Sequence, residues 1–426
     1  CRFAGSLTQP RRLRVSRPPN RLLRQVSRSG WSRIRERPVQ EKMSTGNPRT
    51  TFMTGASGFL GHYVLRDLLT RQRRVVAALR HPLARSARRL AYLLEQIGFD
   101  AAPCIASGQL TLVEGALPDH LPEPTWGHTD DVLHNAASLE LFSNGNGDGD
   151  PFRTNVKGTR ALIEWANAHG VKTIHAVSTA YTCGWNDGLI PEAFHSPAPR
   201  FQTDYERSKW LAESLFRDWS QQPESVLTIF RPSFLVGDSQ TGYTTQFAGF
   251  YQFARLVSVL KNRYQDPHNG KLTHIPLRIP GRPEDVQNIV PVDFVARIIT
   301  EVVLDSNRHG RIYHLTNPQP PTNELMKRCY EDYFGLHGGY FADPATVLGH
   351  CTSAESLLWD EYHLLTPRVV HAPHFDTANT RCVMDEVGLT FPILDRERIC
   401  MLIDWAARQQ WGRRSPARRR ERETAS

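Results

Sequence analysis

Residues 50–61 are Thr-Thr-Phe-Met-Thr-Gly-Ala-Ser-Gly-Phe-Leu-Gly. The first five are typical of a buried strand, and Phe59–Arg71 carries apolar side chains at helical spacing. Between them, Gly55, Gly58 and Gly61 lie three residues apart. Gly55 suits a sharp turn, Gly58 the close approach of a pyrophosphate, and Gly61 tight helix–strand packing. A strand, glycine turn and helix in this order predict a dinucleotide-binding corner, with the phosphates at the helix N-terminus.

The second strand selects the form of the dinucleotide. It ends at Leu79-Arg80-His81, where an acidic side chain would bind a ribose 2′-hydroxyl. Arg80 suits a 2′-phosphate instead, so we expect NADP(H); the alternative is that Arg80 is only a surface cation. The residues expected to contact the cofactor here are Gly55, Ser57, Gly58, Phe59, Leu60, Gly61 and Arg80.

Strand-like and helix-like segments alternate from residue 50 to about residue 237. This alternation predicts an α/β fold, a Rossmann-type doubly wound parallel sheet with helices on both faces. The predicted strands are 50–54, 74–79, 109–113, 131–134, 171–177, 225–231, 288–292 and 311–316, and the main helices are 59–71, 83–97, 153–169, 204–219 and 294–304. We expect an NADP-binding core at 48–237 and a smaller, mainly C-terminal substrate lobe at 238–412, with elements of about 288–317 returning to the sheet. Within the lobe, 238–288 is expected to be loop-rich.

The net charge of +9 is carried by the two ends of the chain. Residues 1–42 carry a net +10 and residues 413–426 a net +4, which leaves the rest at −5. We expect disordered basic tails rather than nucleic-acid binding. The natural start is expected at Met43, and the alternative for 1–42 is an arginine-rich transit peptide. No apolar run is long enough for a membrane span, and seven scattered cysteines indicate a reducing, cytoplasmic setting with no metal site.

The catalytic candidates lie in the second half of the predicted sheet domain. Tyr205 and Lys209 are four residues apart, so they share one face of the helix 204–219. A neighbouring ammonium favours the phenolate, which predicts a lowered pKa for Tyr205 and proton exchange with a substrate carbonyl. Upstream, a strand ends in Val177-Ser178-Thr179, whose hydroxyl could orient that carbonyl.

These motifs together resemble the extended short-chain dehydrogenase/reductase superfamily. The resemblance includes His134-Asn135-Ala136-Ala137 and Asn155-Val156-Lys157-Gly158-Thr159, besides the glycine turn and the Tyr205/Lys209 pair. Two further stretches, Arg231–Gly242 and Asn288–Ala296, resemble the fatty acyl-CoA reductase (male-sterility) branch, which includes thioester reductase domains.

The resemblance implies the roles of further residues. It favours Thr179 over Ser178 as the catalytic hydroxyl, beside Tyr205 and Lys209. The cofactor contacts that it implies are Asn135, Ala136, Ala137, Tyr205, Lys209, Pro232 and Ser233. One departure concerns adenine, because Ala116 stands where such proteins often have an acidic residue.

The implied activity is NADP(H)-dependent reduction of an acyl thioester, on coenzyme A or an acyl carrier protein, to an aldehyde or alcohol. The alternatives are another reaction of the superfamily, such as sugar-nucleotide epimerisation or hydroxysteroid oxidation, and a non-catalytic NADP-binding sensor. Aromatic residues of the lobe could line an acyl channel, although ordinary helix packing is favoured: Phe247, Phe250, Tyr251 and Phe253. Cations of the lobe could meet a carrier or coenzyme A: Arg255, Lys261, Arg263, Lys271, Arg278 and Arg282.

Overall fold

A computed structural model describes residues 49–143, 149–186, 188–264, 273–343, 351–362 and 373–413, with the side chains of 358–362 excluded. The basic tail 1–42, Lys271 and all of the C-terminal tail except Arg413 lie outside these ranges. The described residues from Arg49 onward form one compact unit. The described strands are β1 (Thr50–Thr54), β2 (Arg74–Leu79), β3 (Leu110–Glu114), β4 (Asp131–His134), β5 (Thr173–Val177), β6 (Leu189–Ile190), β7 (Val226–Pro232), β8 (Phe234–Val236), β9 (Thr273–Pro280), β10 (Ile289–Pro291), β11 (Ile312–Leu315), β12 (Leu336–Ala342) and β13 (His374–Phe375).

Seven of these strands form one parallel sheet in the order β11-β7-β5-β4-β1-β2-β3. The strand order reverses between β1 and β4, because β2 and β3 follow on one side of β1 and the later strands of the sheet lie on the other side. This reversal leaves a crevice at the carboxyl ends of β1 and β4. The prediction of a doubly wound parallel sheet is confirmed.

Helices cover both faces of the sheet. The described α-helices are α1 (Phe59–Thr70), α2 (Leu83–Gln96), α3 (Ala102–Ala106), α4 (Gly158–Ala168), α5 (Asp204–Trp219), α6 (Phe250–Tyr264), α7 (Val292–Leu304), α8 (Asn323–Phe334), α9 (Ser353–Tyr362), α10 (Ala378–Val387) and α11 (Arg396–Arg408). Alternate side chains of β1 face opposite ways: Met53 packs with α1 and α7, and Phe52 stacks on Trp165 of α4 at 4.5 Å. This two-sided burial explains why apolar side chains such as Phe52 and Met53 occur at consecutive positions of a strand.

The helix predicted at 153–169 begins differently from the expectation. Residues Arg153–Lys157 form a π-helical turn, and regular α-helix begins only at Gly158. Insertions of this kind are frequent at functional sites. Here the turn contains Asn155, whose side chain bonds the loop after β4.

The lobe is more regular than its sequence indicates. The expectation that 238–288 is loop-rich is wrong for its described part, because that part contains α6 and β9. β9 pairs in parallel with β12, and α6, α8 and α11 share an apolar core. No described helix is both long and apolar enough to cross a membrane.

Candidate active site

The glycine corner joins β1 to the loop after β4. Gly55 has a φ of +74°, and a Cβ there would lie 2.5 Å from the backbone nitrogen of Ala136. Its carbonyl accepts hydrogen bonds from the Gly58 amide (3.0 Å) and from Nδ2 of Asn135 (3.1 Å). A Cβ on Gly61 would lie 2.0 Å from that carbonyl oxygen. The corner therefore requires glycine at Gly55 and Gly61 and brings Asn135 and Ala136 beside it.

The N-terminus of α1 fits a dinucleotide pyrophosphate. Gly58 caps the helix without any side-chain acceptor, and the first turn contains no acidic residue. The positive end of the helix dipole is thus available to an anion. Ser57 is half-buried beside it, and Phe59 and Leu60 turn their side chains into the core.

Arg80 follows β2 at the same edge of the sheet and is exposed. Burial lowers the pKa of His62 on α1 to about 4, and the positive charges of Arg66 and of Arg89 on α2 add to this decrease. The sequence argument did not single out Arg89, because its position on a polar helix is typical of any solvated cation. The carboxylate of Glu114, the last residue of β3, pairs with Nδ1 of His81 at 3.0 Å.

Thr179 and Tyr205 meet at the carboxyl edge of the sheet. The Thr179 hydroxyl hydrogen-bonds the phenol of Tyr205 and also donates to the Pro232 carbonyl at 3.5 Å. Ser178 is buried and turns toward Glu213. The geometry therefore favours Thr179 over Ser178 as the partner of the phenol.

The pKa of Tyr205 is raised, whereas the sequence argument predicted a lowered value. Loss of solvent around the phenol is the largest cause, and the Glu206 carboxylate adds to it; only the bond with Thr179 opposes them. The prediction was wrong because burial outweighs the favourable contacts.

Lys209 lies one turn beyond Tyr205 and is 4% exposed. Its ammonium donates to the Val177 carbonyl at 2.7 Å, at the end of β5. Burial lowers the pKa of Lys209 to about 8, and the negative charge of Glu213, a further turn along α5, opposes this decrease. The pKa of Lys209 is therefore within reach of neutral pH, so its ammonium can lose its proton under mildly alkaline conditions.

Glu213 is itself held in a buried ion pair. Its oxygens accept from Nε of Arg231 at 3.0 Å and from Nη2 at 2.6 Å. Arg231 also donates to the Ala193 carbonyl at 2.9 Å. The charged Arg231 keeps the pKa of Glu213 below its usual range despite burial. The sequence argument included Arg231 only as part of a family stretch and did not pair it with Glu213.

A polar chain missed at the sequence level fixes the start of α5. Nδ2 of Asn155 donates to the Ser208 hydroxyl at 2.9 Å, and that hydroxyl donates to the Tyr205 carbonyl at 2.7 Å. The Tyr205 amide donates to the carbonyl of Leu141 at 3.2 Å. Because these contacts join residues far apart in sequence, only the Asn155 segment gave any signal, and it did so by resemblance.

Pro232 and Ser233 border the same space as Thr179. Ser233 is buried, and its hydroxyl has no hydrogen-bond partner among the described residues. Next to it, Phe234 is 36% exposed and lies 4.7 Å from the ring of Tyr181, which in turn lies 6.1 Å from Phe375. An unpaired hydroxyl beside the exposed ring of Phe234 indicates a site for a ligand with polar and apolar parts.

The stretch Asp238–Gly242 has a structural role. Asp238 accepts from the amides of Gln240 and Thr241 and from the phenol of Tyr63 on α1. Asp293 at the start of α7 accepts from the amide and hydroxyl of Ser239. These bonds tie the beginning of the lobe to the sheet domain.

The lobe residues proposed from sequence have mainly structural partners. Phe250 and Tyr251 are buried in the lobe core, and the Tyr251 hydroxyl accepts from the Gly237 amide at 2.7 Å. This favours helix packing over an acyl channel for these two rings. Arg278 is bound by the buried Glu355 through Nε at 2.8 Å. It is therefore not available as a docking cation.

Comparison with known proteins places these observations in a family. The profile described as male sterility protein matches residues 53–299. L-2-aminoadipate reductase of Schizosaccharomyces pombe is 24% identical over 382 residues, which are 82% of this chain and 25% of that protein. The chain spans about a quarter of the length of the relatives that it matches first.

Two solved structures share the fold. The terminal R domain from the myxalamid PKS-NRPS biosynthetic pathway superposes with a TM-score of 0.70 at 23% identity, over 86% of this chain and 92% of that one. A thiolation-reductase di-domain from an archaeal non-ribosomal peptide synthetase gives 0.65 at 15% identity, over 86% and 77%. At these identities the likeness shows the fold.

Proposed function

Because the chain belongs to the male sterility protein family, within the extended short-chain dehydrogenase/reductases, we propose that it is an NADP(H)-dependent reductase of acyl thioesters. One observation carries this proposal. Thr179, Tyr205 and Lys209 come from two elements and meet at the sheet edge that also holds the glycine corner. Ligands of parallel sheets bind at this edge.

The protein groups around the crevice suit a nicotinamide dinucleotide. The pyrophosphate would lie at the N-terminus of α1, with Gly55, Ser57 and Gly58 around it. Arg80 is an exposed cation after β2, where a 2′-phosphate would be, which supports NADP over NAD. Asn135, Ala136, Ala137, Pro232 and Ser233 would border the ribose and nicotinamide, and Lys209 would bond the ribose hydroxyls.

The side chains of the site would then stabilise the charge that develops on the substrate carbonyl oxygen and supply its proton. When bound, the cofactor supplies the hydride. The raised pKa of Tyr205 keeps its phenol protonated at neutral pH, as a proton donor to a developing alkoxide must be. Thr179 holds the phenol in place, and the Lys209 ammonium stabilises the phenolate left behind. The resulting hemithioacetal breaks its carbon–sulfur bond, releasing a thiol and an aldehyde; a second hydride and proton would give the alcohol.

The lobe would supply the substrate side of the site. We retain the division into a cofactor core at 48–237 and a substrate lobe at 238–412. Phe375 of the lobe lies 6.1 Å from the ring of Tyr181, and with the exposed ring of Phe234 on the core these side chains offer an apolar wall for an acyl chain beside Thr179. The names of two matches, a terminal R domain and a thiolation-reductase di-domain, support a carrier-bound thioester as substrate.

NADPH oxidation by the chain started at Met43 tests the proposal. The substrates in this assay are acyl-CoAs, acyl-pantetheines and medium-chain aldehydes; nucleotide sugars, and hydroxysteroids with NADP+, are incubated separately and analysed for their products. We expect oxidation with thioesters, with stoichiometric release of free thiol. Turnover of a nucleotide sugar or a hydroxysteroid, with none of any thioester or aldehyde, would overturn the assignment.

A further inference from the structure

A groove runs between α4 and α5 on the face turned away from the sheet. Its volume is about 670 Å³, and it is open to solvent. Phe152, Val156 and Leu211 are half-buried and form an apolar floor.

The rim of this α4/α5 groove is cationic. Lys157, Arg160 and Arg207 are exposed along it, against one acidic residue, Glu164. The guanidinium of Arg207 lies 5.8 Å from the ring centre of Phe152, so a cation and the floor are in contact. Residues 43–412 carry a net −5. A cationic rim on an acidic body indicates an acidic partner.

The groove lies at the catalytic end of both helices. Arg207 is two residues beyond Tyr205 on α5, and Val156 follows Asn155 in the π-helical turn that bonds Ser208. In a parallel sheet the helix N-termini lie at the edge where the preceding strands end. A partner in the groove would therefore lie beside the entrance to the Thr179–Tyr205 site, within reach of a flexible prosthetic arm.

We propose that the α4/α5 groove is the docking surface for the substrate carrier, an acidic domain that presents an amphipathic helix. This inference rests on the proposed function and names the partner of the same site. An apolar stripe of such a helix would cover Phe152, Val156 and Leu211, and its flanking carboxylates would meet Lys157, Arg160 and Arg207. Charge complementarity at the rim would mainly raise the rate at which the carrier associates with the reductase.

The test compares one acyl group on two supports. Octanoyl-phosphopantetheine on an acidic acyl carrier protein and free octanoyl-pantetheine are each reduced by wild type and by Arg160→Glu/Arg207→Glu. We expect the double variant to lose about tenfold in kcat/KM for the carrier substrate, through KM, and to keep the free pantetheine rate. Added salt should weaken the wild-type carrier reaction and not the free reaction.

Two further variants sharpen the result. Arg263→Glu reverses an exposed cation on α6, in the lobe, and should change neither reaction. Arg160→Lys/Arg207→Lys keeps the charge and should retain most carrier activity. The inference is overturned if the double charge reversal affects both substrates equally or neither, or if Arg263→Glu carries the effect.

The proposed function and the docking surface fail in distinguishable ways. No reduction of octanoyl-pantetheine by wild type would contradict the function itself. Reduction of free pantetheine with no advantage of the carrier form would contradict only the docking surface. The other possible occupant is a second copy of this chain, which sedimentation tests. If wild type is a dimer that Arg160→Glu/Arg207→Glu converts to a monomer, the groove is an interface between copies and the inference is overturned.

Discussion

Arg80 is the residue on which the choice of NADP over NAD mainly depends. It is exposed after β2, where an acidic residue would bind a 2′-hydroxyl. We expect Arg80→Ala to raise the KM for NADPH about tenfold and to leave that for NADH nearly unchanged, because one charge-assisted phosphate contact is lost. Arg311→Ala, at an exposed position before β11, is the control. An equal loss for both cofactors would show that Arg80 does not read the phosphate.

Lys209 and Glu213 make the reaction sensitive to alkaline pH. The pKa of Lys209 is about 8, so its ammonium is charged below that pH and lost above it. We expect kcat/KM to fall as pH rises through about 8. Since Glu213 raises this pKa, Glu213→Gln should move the fall to lower pH. A pH profile that is the same in wild type and variant would contradict this link.

The same substitution should also destabilise the fold, because it leaves Arg231 buried without its partner. We expect a loss of about 3–5 kcal/mol in urea unfolding. Glu213→Leu/Arg231→Met removes both charges and should recover much of the stability, while the fall in kcat/KM stays at the lower pH. This pair of variants separates the effect on Lys209 from a general loss of structure.

At the scale of elements, the glycine corner is the least tolerant junction. A Cβ on Gly61 would lie 2.0 Å from the Gly55 carbonyl oxygen, and backbone must move to admit it. Gly61→Ala should cost about 1–3 kcal/mol of unfolding free energy and weaken NADPH binding. Gly149→Ala is the control, since a Cβ there meets no atom of the described residues within 4 Å. Equal stability of the two variants would contradict tight packing at the corner.

Elements with a local cause were predictable from sequence. β1, β2 and β4 have the predicted bounds, and α5 begins at Asp204 as expected, because Thr203 caps its first turn through Glu206. The π-helical turn at Asn155 was not predictable, since its apolar spacing is that of an ordinary helix.

At the scale of the whole molecule, contacts between distant segments were beyond the sequence argument. β9 pairs with β12, which lies more than fifty residues later in the sequence. β13 pairs with β6 through His374 and Leu189, which are 185 residues apart. Phe375 thereby reaches Tyr181, two residues from Thr179. β6 and β13 have only two residues each, too few for any periodicity, and the pairing of β9 with β12 depends on contacts between distant segments.

The same limit applies to the site. The order of Thr179, Tyr205 and Lys209 and the glycine spacing were sufficient to predict that these residues meet at the carboxyl edge of the sheet. The pKa of Tyr205 was not, because it depends on burial and on Glu206 rather than on spacing along α5. The Glu213–Arg231 pair was likewise hidden, since its partners lie on different elements.

The central claim is that the Tyr205 phenol supplies the proton in a hydride-transfer reaction. Its most direct test is Tyr205→Phe, assayed for NADPH oxidation with an acyl thioester and, separately, for NADPH binding by fluorescence, with Tyr340→Phe at an exposed position as control. We predict that turnover falls by about 10²–10⁴-fold while the Kd for NADPH stays close to that of wild type. Full turnover by Tyr205→Phe would contradict the claim.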